Sequence, residues 1–90
     1  MSDRQVDEAE VRDAVRRYIL EQFLPGEDPS SLADSTPLVS GGVLDSISTA
    51  RLVTYLENRY ELRFKPAEVG SNRLDSIDRI VEAVMHKVSR

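Results

Sequence analysis

Gly41-Gly42-Val43-Leu44-Asp45-Ser46-Ile47-Ser48-Thr49-Ala50-Arg51-Leu52-Val53-Thr54-Tyr55-Leu56-Glu57-Asn58-Arg59-Tyr60 holds the pattern from which the fold is predicted. Two glycines let the chain turn sharply, Asp45 is a natural N-cap, and a helix is expected over Ser46–Tyr60. At steps of about 100° per residue, Leu52, Val53, Leu56 and Tyr60 fall on one third of the circle and form a core stripe. Ile47, Ala50 and Thr54 fall on the opposite side. A large apolar residue there is either an isolated exposed hydrophobe, which needs no explanation, or a small docking spot. Ser46 is placed at the first helical position with its hydroxyl at the surface. Free N–H groups and the macrodipole favour an anion at that point, with Asp45 subtracting from the effect. Taken alone, Ser46 reads as a second capping hydroxyl.

Upstream, Val11, Val15, Tyr18, Ile19 and Phe23 recur at steps of three and four and predict a helix over residues 6–23. Arg12, Asp13, Arg16, Arg17 and Glu21 are expected to be solvated, and Pro25-Gly26 stops the helix. Residues 24–44 are rich in Pro, Gly, Ser and Asp and long for a plain connection. Asp28 and Pro29 predict one helical turn there, and Leu32, Leu38 and Val39 are expected to pin the loop to the core.

Downstream, a short helical turn is predicted from Pro66 to Gly70. A last helix is predicted over residues 76–88, capped by Asp75 with Asp78 as a weak capping-box partner. Ile77, Ile80, Val81, Val84 and Val88 form its buried stripe. Lys87 and Arg90 sit near its C-terminal end, where cations are favoured. Leu62-Arg63-Phe64 alternates but is too short for a strand. The expected fold class is all-α: three main helices plus a short third helix, with a long loop between the first and second.

Composition narrows the function classes. At 90 residues the chain has room for one modest core, so residues 1–90 are read as a single domain. No apolar run approaches the roughly 20 residues of a membrane span, and the polar start is not a secretory signal. The absence of cysteine excludes disulfide and thiolate chemistry, and a cytoplasmic location is expected. A net charge of −4 argues against nucleic acid as a partner. His86 stands alone in the last helix, so no metal site is expected. No nucleophile–base pair suggests a catalytic residue, which argues against a small enzyme. Tyr18 and Tyr60 are expected to be core aromatics with surface hydroxyls.

Gly41-Gly42-Val43-Leu44-Asp45-Ser46-Ile47 resembles the phosphopantetheine attachment motif of acyl and peptidyl carrier proteins. In that family the motif is a Gly, one or two hydrophobic residues, then Asp-Ser-Leu or Asp-Ser-Ile, with the Ser opening the second helix of a four-helix bundle. Leu-Asp-Ser-Ile occurs twice, at Leu44-Asp45-Ser46-Ile47 and at Leu74-Asp75-Ser76-Ile77. Ser46 is chosen because it follows the glycines, lies mid-chain and opens the helix with an exposed far face. Asp75-Ser76 is read as structural. The order of helices and the run Leu52 to Tyr60 extend the resemblance over nearly the whole chain.

The resemblance implies a carrier that is not itself an enzyme, with a 4′-phosphopantetheine arm from coenzyme A on Ser46 and Asp45 assisting its attachment. The cofactor supplies the thiol that the chain lacks, and cargo rides on it as an acyl or aminoacyl thioester. Expected partners are a phosphopantetheinyl transferase, an acyl- or aminoacyl-loading enzyme, and downstream synthase or tailoring enzymes. The chain itself is expected to be a monomer. Ile47, Ala50, Arg51 and Thr54 are the expected partner contacts, and Val69 is expected to flank the arm. Carriers of fatty acid synthesis usually have a strongly acidic second helix, whereas here Arg51 and Arg59 accompany a single Glu57. That departure points to a stand-alone carrier of specialised metabolism, of the polyketide or nonribosomal-peptide type. A non-covalent helical interaction module and a domain cut from a larger synthase are the rivals. The polar N-terminus and the lack of long linkers favour a discrete protein over the latter.

Overall fold

The computed structural model describes residues 6–28, 30, 32–69 and 72–88. Among them are four α-helices and no strand: α1 Glu8–Phe23, α2 Ser46–Tyr60, α3 Pro66–Val69 and α4 Ile77–Val88, with a 3-10 turn at Asn72–Leu74 before α4. The expected all-α bundle is the observed one. Pro29, Gly70 and Arg90 lie outside the described residues, as does part of the turn expected after Asp28. Asp28 does accept the Ser30 N–H at 3.0 Å.

α1 starts at Glu8 rather than Val6, because the Asp7 side chain caps it by accepting from the Ala9 N–H. Val11, Val15 and Ile19 are fully buried, while Tyr18 and Phe23 are only partly so. The α2 bounds are as expected, and Leu52, Val53 and Leu56 enter the core. Tyr60 reaches the core only in part, whereas Thr49, unanticipated, is buried. α2 ends at Glu61 in the left-handed region, at φ 56°, whose N–H donates to the Glu57 carbonyl. Ile77, Ile80, Val81 and Val84 of α4 are buried, and Val88 is partly so.

The connections contribute to the same core. Leu32, Leu38 and Leu44 of the long loop are buried, as are Leu62 and Phe64, with Arg63 between them exposed. The short alternating stretch therefore packs as extended chain without becoming a strand. Val39 corrects the expectation: it is 44% exposed and does not pin the loop. α3 is tied to α4 by Glu68, which accepts from the Lys65 N–H at 2.7 Å and pairs with Lys87 at 3.0 Å.

Arg12 and Arg16, expected in solvent, are half-buried in an ion cluster that joins α1, the loop and α4. Arg12 pairs with Asp34 at 3.1 Å, with Asp78, and with Glu8 at 3.0 Å. Arg16 pairs with Asp34 and donates to the Leu32 carbonyl. Carboxylates around it, Asp78 first, raise the Arg12 guanidinium's pKa, partly offset by burial. Asp78 is thus a cluster member rather than a capping-box acid.

The cap of α4 is also a correction. Ser76, not Asp75, caps it: its hydroxyl accepts the Arg79 N–H at 3.1 Å and its carbonyl accepts the Ile80 N–H at 2.9 Å. Asp75 is engaged elsewhere, as described below. Replacing this cap should cost about 1 kcal/mol. Urea unfolding of Ser76→Ala and Ser46→Ala should therefore show a lowered midpoint for the first and little change for the second.

Candidate functional site

The two copies of Leu-Asp-Ser-Ile adopt capping registers that differ by one residue. In the first, Asp45 is the N-cap: its carboxylate accepts the Ser48 N–H at 2.8 Å and its carbonyl the Thr49 N–H at 2.8 Å. Ser46 is then the first helical residue and is exposed. In the second, the cap passes to Ser76, which is only 8% exposed with its hydroxyl occupied. One residue of register is about 100° of rotation. Accordingly Ile47 points outward and is 69% exposed, while Ile77 is fully buried. Both leucines, Leu44 and Leu74, stay in the core.

Asp75 holds the approach to Ser46. Its carbonyl accepts the Leu38 N–H at 2.7 Å. One carboxylate oxygen accepts the Val39 and Ser40 N–H groups at 2.8 and 2.9 Å, and the other accepts the Ser40 hydroxyl at 2.9 Å. The loop then closes on itself, since the Leu38 carbonyl accepts from Val43 and Leu44 at 2.8 and 2.9 Å. Both glycines are required by this path. A Cβ on Gly41 would collide with the Pro37 carbonyl oxygen, and Gly42 sits at φ +87°. These bonds, the Ser40 N–H first, hold the Asp75 carboxyl below the usual carboxylate range.

Ser46 opens onto a groove of about 610 Å³ along α2, lined also by Ile47, Ala50, Arg51, Thr54, Tyr55 and, from α1, Tyr18. Four of the five expected partner contacts therefore lie together around Ser46. Val69 does not line this groove; it packs partly against the core from α3. The residue that sequence reasoning missed is Tyr55. Its ring stacks on Tyr18 at 4.1 Å between centroids, and the Tyr18 hydroxyl donates to the Arg51 carbonyl at 3.3 Å. Tyr18 and Tyr55 fall on different helices, so no local pattern reveals their pairing. Burial pushes the Tyr55 phenol up, partly offset by Arg59.

The electrostatics are sparse. Asp45 is held below the usual carboxylate range by the Ser48 N–H, so it is ionised at neutral pH. Glu57, the one acid within α2, accepts the Phe64 N–H at 2.9 Å. Among the described residues Arg51 forms no ion pair. No group of three or more metal-ligating side chains occurs among the described residues, and none of their helices is long and apolar enough to cross a membrane.

Known proteins resemble this chain along most of its length. The D-alanyl carrier protein of Streptococcus sanguinis strain SK36 is 36% identical over 75 residues, spanning 83% of this chain and 91% of the relative. That of Streptococcus gordonii strain Challis is 37% identical over the same shares. The chain belongs to the phosphopantetheine carrier-protein family. The carrier protein of Streptococcus uberis strain ATCC BAA-854 / 0140J is 38% identical over 58 residues, 64% of this chain and 72% of the relative. No family model matches the chain.

Carrier proteins are not themselves enzymes, and they use a covalently attached 4′-phosphopantetheine arm. The residues present fit such a group. The first-copy serine is exposed at a helix N-terminus, where backbone N–H groups favour a phosphate, and it opens onto a groove rather than a wall.

Acid should loosen the Ser46 approach. Asp75 has a depressed carboxyl in the folded state, so its contribution is present above its unfolded pKa of about 3.9 and is lost as pH falls through the lower folded value. Amide hydrogen exchange at Val39 and Ser40 should rise on the order of ten-fold in Asp75→Ala at neutral pH. The variant should differ least from the parent protein at the acid end.

Proposed function

We propose that Ser46 bears the arm and that the chain carries an aminoacyl group on it as a thioester. One observation carries the choice of serine: Ser46 is exposed above an open groove, whereas the Ser76 hydroxyl is occupied and buried. Within the polyketide and nonribosomal-peptide-type setting expected from the sequence, the aminoacyl branch is the one we assign. The relatives' name makes D-alanine the first cargo to test.

The arm supplies a terminal thiol and the reach to present cargo to successive enzymes. What the chain supplies is position. The Ser46 hydroxyl attacks the pyrophosphate of coenzyme A within a phosphopantetheinyl transferase. A P–O bond forms to Ser46, the pyrophosphate bond breaks, and the nucleotide half leaves. The hydroxyl proton passes to a base on the transferase. Asp45, ionised and adjacent, would supply a carboxylate oxygen to the divalent cation that accompanies coenzyme A. Ile47, Ala50, Arg51 and Thr54 offer an apolar, weakly cationic face to the transferase and the loading enzyme.

Intact-protein mass spectrometry tests the assignment after incubation with coenzyme A, magnesium and a broad-specificity transferase. One arm should be gained by the parent protein and by Ser76→Ala, and none by Ser46→Ala. Folded protein that gains no mass would return the chain to the non-covalent interaction module. An aminoacyl-adenylating enzyme supplied with D-alanine and ATP should then add the amino acid to the arm. Ile47→Asp should keep the fold, since the side chain is 69% exposed, and weaken loading; unchanged loading kinetics would sink that contact.

A further inference from the structure

Two large hydrophobic side chains are markedly exposed among the described residues, Val39 at 44% and Ile47 at 69%. They bracket Ser46 in the chain, one on the approach loop and one on α2. Ile47 is exposed because of the helix register already described. Val39 is exposed for a different reason. Its neighbour Leu38 is fully buried, and the Asp75 carboxylate holds the N–H groups of Val39 and Ser40. The Val39 carbonyl accepts from Gly42 at 3.2 Å, which fixes its other side. An exposed valine on a free loop would turn inward or be averaged over many conformers. Here both of its peptide groups are tied, so the side chain is displayed.

We propose that Val39 is a contact for the enzyme that modifies Ser46, and that Asp75 is the positioning residue that presents it. The inference rests on Ser46 being the modified residue. The partner is the coenzyme A-dependent transferase, because Ile47 follows the serine on which it must act and Val39 is held in the loop that leads to it, where the neighbouring Leu38 carbonyl accepts the Val43 and Leu44 N–H groups. Its face should carry two separate apolar contacts, one for each side chain. The second Leu-Asp-Ser-Ile copy then serves the first: Ser76 caps α4 while Asp75 sets the loop that leads to Ser46.

Steady-state kinetics of arm attachment test this in four proteins: the parent, Val39→Ser, Asp75→Ala and the double variant. Val39→Ser should fold as the parent does, because the site is exposed, and should raise KM on the order of five-fold with little change in kcat. Asp75→Ala should raise KM similarly, measured at a temperature where urea titration shows it folded. Its effect should vanish in the Val39→Ser background, since both act through one contact. Asp75→Asn keeps a carbonyl oxygen to accept the loop N–H groups and should restore much of the lost KM.

Attachment kinetics unchanged in Val39→Ser, with the parent still modified at Ser46, would overturn the contact and leave the carrier function standing. Additive effects in the double variant would overturn the positioning role of Asp75. Failure of the parent protein to be modified at all would overturn both the inference and the function beneath it.

Discussion

The Asp75 carboxylate is the constraint on which the geometry around Ser46 depends. A loop of some twenty residues between α1 and α2 has a large conformational entropy to lose, and its own apolar anchors are few. Leu32, Leu38 and Leu44 supply the burial, but burial alone does not choose a backbone path. Two N–H groups and a hydroxyl converging on one carboxylate do choose it, because charge-assisted bonds are directional and stronger than neutral ones. With residues 38–40 fixed to the start of α4, the close turn at Gly41 and Gly42 delivers Asp45 to its capping position.

A second polar cluster works a few residues earlier in the same loop. Asp34 receives both Arg12 and Arg16 of α1, and its carbonyl accepts the Asp78 N–H of α4 at 3.0 Å. The loop is therefore fastened to α4 at two places and to α1 at one. Individual ion pairs at half-exposed positions contribute little, roughly 0–1 kcal/mol each. Their worth here lies in joining α1 to the loop and α4, which a backbone hydrogen bond already connects at Asp34 and Asp78.

The helices were legible in the sequence because their periodicity is local. Asp45 and the α2 bounds could be read from the Gly-Gly turn, the capping residue and the stripe Leu52, Val53, Leu56. What escaped reading depends on contacts between distant residues. Nothing near Asp75 signals that its carboxylate is taken by Val39 and Ser40, some thirty-five positions away, so the cap of α4 was assigned to the wrong residue. Arg12 and Arg16 look solvated on a helical wheel and become half-buried only when the loop arrives. Ser46, Ile47, Ala50, Arg51 and Thr54 were readable as a group because one helix face carries them. Tyr55 was not, since its partner Tyr18 lies on α1.

The repeated tetrapeptide has a consequence for biogenesis. An unfolded or newly made chain shows the same four residues twice, and a catalyst that read only those four would meet two equivalent serines. Folding abolishes the equivalence by sliding one cap along by a single residue and burying the hydroxyl that results. Conformation therefore adds a second discrimination to the one that the flanking Gly41-Gly42 already gives in sequence. An enzyme that read only the tetrapeptide and yet chose the first copy would be, in effect, an inspector of foldedness, passing over chains whose loop and fourth helix have not yet come together.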